Sequence, residues 1–75
     1  MRSEDIEALR LAYKEATDAW IAAIRAEEAL ATPDHSIVAW EKWDAAHFTE
    51  HDAQAKADEA REAYKGALRQ ANYGI

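Results

Sequence analysis

Apolar or small side chains return at alternating steps of three and four along this chain, on both sides of a single proline. Before it the series is Ile6, Leu9, Tyr13, Ala16, Trp20, Ala23, Glu27 and Leu30. After it come Ala39, Trp43, Ala46, Glu50, Ala53, Ala57, Ala60, Tyr64, Ala67 and Ala71. A seven-residue repeat draws one stripe along a helix, and two such stripes pack against each other along a shared seam. Joined by a tight corner at Pro33, they specify an all-α fold: an antiparallel two-helix hairpin with coiled-coil-like packing.

Composition supports the same reading. Nineteen of the 75 residues are alanine, the strongest helix former, while glycine is confined to Gly66 and Gly74. Alanine on both stripes lets the backbones approach toward the low end of the usual 8–10 Å helix separation. No run of alternating β-branched residues reaches strand length. The expected organisation is one domain over residues 1–75, with helix 1 over about 3–31, a corner over 32–36 and helix 2 over about 36–71. Ser3, followed by Glu4 and Asp5, is the expected start of helix 1. Helix 2 begins either with Thr32 capping ahead of Pro33 or with Ser36 capping after a longer turn. With the corner centred near Pro33, Trp20 faces Ala46 and Ile24 faces the Trp43 region. Tyr64 then faces the start of helix 1, which leaves Leu68 and Tyr73 extending past its end.

A chain this short buries little surface alone and generally needs a disulfide, a metal or a partner as reinforcement. Cysteine is absent, which removes disulfides and thiolate ligands and fits a reducing compartment. The segment Met1 to Arg10 is polar and acidic, unlike a secretory signal, and no apolar run is long enough to span a membrane. A cytoplasmic setting is therefore expected. Leu11, Ile21, Val38 and Phe48 lie off the seam, so a second buried surface is required, and two hairpins pairing by a twofold axis into a four-helix bundle would supply it. The expected association surface is Leu11, Ile21, Trp40, Phe48, Leu68 and Tyr73. A homodimer is the leading expectation and a different protein partner the alternative. The aromatic cluster Trp20, Trp40, Trp43 and Phe48 reads chiefly as core, with interface as the other reading.

The net charge of −6 disfavours direct nucleic-acid binding, which needs a basic face. An acidic helical mimic of DNA remains a further alternative. No catalytic residue is expected. Ser3 and Ser36 sit at helix starts, and no glycine-rich loop is present to cradle phosphate. One stretch carries metal chemistry in its spacing: His47-Phe48-Thr49-Glu50-His51 reads His-x-x-Glu-His, as on the zinc helix of some metalloproteases. His47 and His51 fall on one helix face, with Asp44 one turn earlier, but ligands strung along one straight helix do not surround an ion. Glu50 points to the seam, with Thr17 its expected partner, and Lys42 is expected to reach Glu27. A partial match to the Glu and Glu-x-x-His sets of di-iron bundles comes from Asp44 to His47, with Glu27 expected at a different level. The expected function is a non-enzymatic helical protein–protein interaction module (an adaptor, accessory subunit or inhibitor) with no cofactor. A metal-binding bundle using His47 and His51, with Asp44 or Glu50, is the competing reading.

Overall fold

In the computed structural model, which describes residues 2–74, α1 spans Ser3–Ala29 and α2 spans Ile37–Tyr73. Their facing pairs run in opposite numerical order, Tyr13 with Tyr64 and Glu27 with His47, so the hairpin is antiparallel. The half-buried positions of α1 are those of the heptad from Ile6 to Glu27, with Thr17 added beside them. Along α2 the least exposed positions follow the stripe from Ala39 to Ala67, except that Trp43 is exposed while Asp44, Gln54 and Leu68 on its flank are half-buried.

Local chemistry sets the helix ends. Arg2, extended, occupies the cap of α1 without a side-chain bond, and its carbonyl accepts from the Asp5 and Ile6 amides at 3.1 Å. Ser3 is thus the first helical residue and not the cap. At the other end the Leu30 amide donates to Ala26 and Glu27, and α1 stops two residues short of the expected Ala31. In the corner, Thr32 Oγ1 accepts from the Asp34 amide at 3.3 Å, and Asp34 Oδ1 accepts from the Ser36 amide at 2.9 Å. Ser36 Oγ in turn accepts from the Ala39 amide at 3.2 Å, so Ser36, rather than Thr32, caps α2. Gly74 closes α2 with φ 71°, the left-handed turn that glycine adopts freely, its amide on the Gln70 carbonyl at 2.9 Å.

The register differs from the sequence expectation. Trp20 meets Glu50, one turn beyond Ala46, and Tyr13 stacks on Tyr64 with ring centroids 6.1 Å apart. Tyr64 therefore does not face the start of α1, and Leu68 is half-buried rather than projecting. With Glu27 and His47 level and 1.5 Å per residue, Ile37 begins α2 about 12 Å beyond the end of α1. The corner runs beside the first turns of α2, where Leu30 and Thr32 line one groove with Ala39 and Trp43. The overhang belongs to the corner end, and Tyr73 lies nearly level with the start of α1. The long dimension, 56 Å, is the length of α2 alone.

The resulting body is thin. Its Cα extents are 56 × 17 × 12 Å, two helices wide and one helix deep. The radius of gyration is 17.1 Å, against about 11 Å for a compact chain of this length. Among the described residues only Ala57 and Ala67 are buried, each 3% exposed. The outer faces carry ion pairs, including Lys14 to Asp18 at 2.8 Å and Arg10 to Glu7. The hydrogen bond from Arg10 holds the Glu7 carboxyl below its usual range, and the bond to Asp18 raises Lys14. Such exposed pairs contribute little to stability.

Gly66 stands inside α2 with open space where a Cβ would be. Gly66→Ala is expected to stabilise the chain by about 0.5–1 kcal/mol by restricting the unfolded backbone. A urea melt at fixed protein concentration reads this, and an unchanged or lowered midpoint would contradict it.

Candidate functional site: a polar seam beneath an apolar head

The seam is interrupted twice, and the two interruptions meet. Glu27 stands seven residues after Trp20 on α1, and Glu50 seven after Trp43 on α2, so both carboxyls aim between the helices. His47 follows the seam residue Ala46 by one place and leans over the seam from its flank. The Trp20 indole Nε1 donates to Glu50 Oε1 at 2.6 Å. His47 Nδ1 lies 3.6 Å from Glu27 Oε1. One donor atom from each of Glu27, His47 and Glu50 falls within 4.8 Å of the others. Glu27 is 21% exposed at its side chain and His47 58%, so the group is set into the hairpin yet open to solvent on one side.

Several expected pairings are replaced. Glu27 is level with His47, not displaced from it, and among the described residues the side chain placed beside its carboxyl, at 3.6 Å, is His47 rather than Lys42. Thr17 donates to the Tyr13 carbonyl at 2.8 Å within its own helix, and Glu50 takes its hydrogen bond from Trp20. His51 stacks on His47 with centroids 6.1 Å apart but lies outside the three-residue group, as does Asp44, which is half-buried. The His-x-x-Glu-His spacing therefore does not act as a unit. Its first histidine and its glutamate converge, and the third group beside them, Glu27, comes from the other helix. Glu27 could have been found in the sequence as the sole charged residue of the first stripe, but its level could not.

The second feature is apolar. Among the described residues, eight of ten exposed large apolar side chains lie between Ile21 and Phe48, in the half of the hairpin that ends at the corner. The overhang of α2 accounts for Ile37, Val38, Trp40 and Trp43, because its first two turns have no α1 beside them. Ile37 is 75% exposed, Trp40 57% and Phe48 70%. Leu30, Trp40 and Trp43 line an open groove of about 300 Å3 together with the corner. Of the aromatic cluster expected as core, only Trp20 is half-buried, while Trp40, Trp43 and Phe48 are exposed. Of the expected association residues, Ile21, Trp40 and Phe48 lie on this head. Leu11 and Tyr73 are exposed but remote from it, and Leu68 is partly covered by the hairpin itself. Ile24, expected at the seam, is exposed and joins the head, as does Ile37. The position of Ile24 one place after Ala23, on the flank of the stripe, is the signal that reveals it.

No protein-family model matches the chain, and neither does any curated protein sequence or solved structure. Among the described residues no helix is long and apolar enough to cross a membrane. The fold defines the class: an all-α helical hairpin.

Proposed function

We propose that this chain is a non-enzymatic association module whose apolar corner half docks on a second copy of itself, giving a four-helix bundle. The observation that carries the reading is surface area. The chain exposes 5750 Å2, whereas a folded monomer of this mass exposes about 4600 Å2. The surplus, roughly 1100 Å2, slightly exceeds the approximately 800 Å2 that each partner buries in a standard interface. Shape supports a second hairpin as the occupant. A body one helix deep and two wide becomes square in section when a copy is laid on it, and the exposed apolar residues then share one interior. Tryptophan, present here as Trp40 and Trp43, is a frequent anchor of such interfaces. The assembled bundle would serve as an adaptor, accessory subunit or inhibitor, and the cysteine-free composition suits a cytoplasmic setting.

Sedimentation equilibrium at micromolar concentration is expected to give twice the 8.4 kDa chain mass, with a melting temperature that rises with protein concentration. A mass of one chain and a concentration-independent melt would refute self-association. A single-chain mass with a well-ordered hairpin would point to a different protein as the occupant.

A further inference from the structure

We propose that Glu27, His47 and Glu50 form a binding site for one first-row divalent transition-metal ion, of the zinc type, within each chain. The site goes beyond the association reading and does not depend on it, since all three ligands belong to one hairpin.

Three observations converge on it. First, the donors come from two helices, which answers the geometric objection to ligands strung along one helix: Glu27 approaches from α1, and His47 and Glu50 from α2 at a spacing of one turn. Donors around one tetrahedral ion at about 2.1 Å stand roughly 3.4 Å apart. The three lie within 4.8 Å, and the Glu27 to His47 pair is already at 3.6 Å. Rotation of the flexible glutamate side chains is what must close the remaining gap, at most about 1.4 Å.

Second, the local charge asks for a cation. Two carboxyl groups meet at the seam, where solvent screening is weakest. Among the described residues, the ion pairs made by lysine and arginine all lie elsewhere, on the outer faces. An ion at this point would compensate both glutamates at once.

Third, one ligand is already oriented. The Trp20 indole holds Glu50 through Oε1 at 2.6 Å, and a carboxylate has a second oxygen with which to bind an ion. Hydrogen bonds of this kind to a ligating carboxylate fix its direction, and they typically matter 10- to 100-fold in affinity. One imidazole with two carboxylates suits zinc, iron, cobalt or manganese better than calcium or magnesium, which take oxygen donors alone. Three protein donors leave positions open for water, and the half-exposed His47 provides the entry path.

The test is isothermal titration of the untagged full chain with zinc chloride in a non-chelating buffer containing millimolar magnesium. One equivalent per chain is expected at micromolar concentration. Glu27→Gln, isosteric with the native side chain, is expected to raise the dissociation constant at least tenfold, and His47→Ala to abolish binding. His51→Ala, outside the group, is expected to leave it unchanged. Circular dichroism of each variant without metal confirms that the hairpin is intact. Absence of zinc binding by the native chain would overturn the assignment, as would equal affinity in Glu27→Gln. Half an equivalent per chain would also overturn it, by placing the ion between copies. The solution mass is read separately, so failure of the metal site and failure of self-association are distinguishable.

Discussion

Ala57→Glu is expected to abolish most of the helical circular dichroism of this protein at micromolar concentration. Among the described residues Ala57 is one of two that are buried, and it lies on the stripe that faces α1. A glutamate there must either force the seam apart or desolvate its carboxylate against a stripe of alanines. Glu50 tolerates its seam position because the Trp20 indole meets it, whereas position 57 lies a heptad further on, beyond reach of that indole. An uncompensated charge in such a setting costs about 3–5 kcal/mol. That is comparable with the whole stability a chain of this size draws from one hydrophobic core. Ala55, exposed two residues earlier, provides the comparison: Ala55→Glu is expected to shift stability by no more than about 0.5 kcal/mol. Full helicity and a native melting curve in Ala57→Glu would show that the alanine stripe is not what joins the helices.

The second large effect concerns assembly. Ile24→Glu combined with Trp40→Glu is expected to reduce the sedimenting mass from two chains to one. Both residues lie on the exposed corner half, each one place after a seam residue, so neither substitution disturbs the alanine stripe. Four added carboxylates in the paired species, two from each copy, would oppose contact in a protein already at −6 per chain. The variant is also expected to melt at a temperature independent of concentration, while Ala55→Glu retains the dimeric mass. An unchanged mass in the double variant would move the interface away from the head, and Leu11 and Tyr73 would then be the residues to examine.

The pattern of half-buried residues was legible from spacing alone. The stripe Ile6 to Glu27 and its counterpart from Ala39 to Ala67 follow directly from a seven-residue period, which is a local property of each helix. So were Ser36 as one of two candidate caps and the break around Pro33. What spacing could not supply was the relative height of the two helices. That height depends on the path of seven corner residues, which is ordered by hydrogen bonds among Thr32, Asp34 and Ser36. An error there of between one and three turns moved Glu50 from Thr17 to Trp20 and hid the meeting of Glu27 with His47. It also sent the unsupported part of α2 to the wrong end. Phe48 and Ile21 were recognisable as outward-facing because their angle on the helix does not depend on height, and the same angle marks Ile24, one place after Ala23; the meeting of Glu27, His47 and Glu50 does depend on height and was not.

Repeated alanines make a rack whose teeth are all alike. Slid by one heptad, such a rack meshes nearly as well as before, so the stripe that joins the helices says little about where they should stop. The indole locked on Glu50, the tyrosine pair near the open end and the histidine beside Glu27 act as pawls that catch one notch. Filing those three down would leave a hairpin that still zips, but with several settings in place of one.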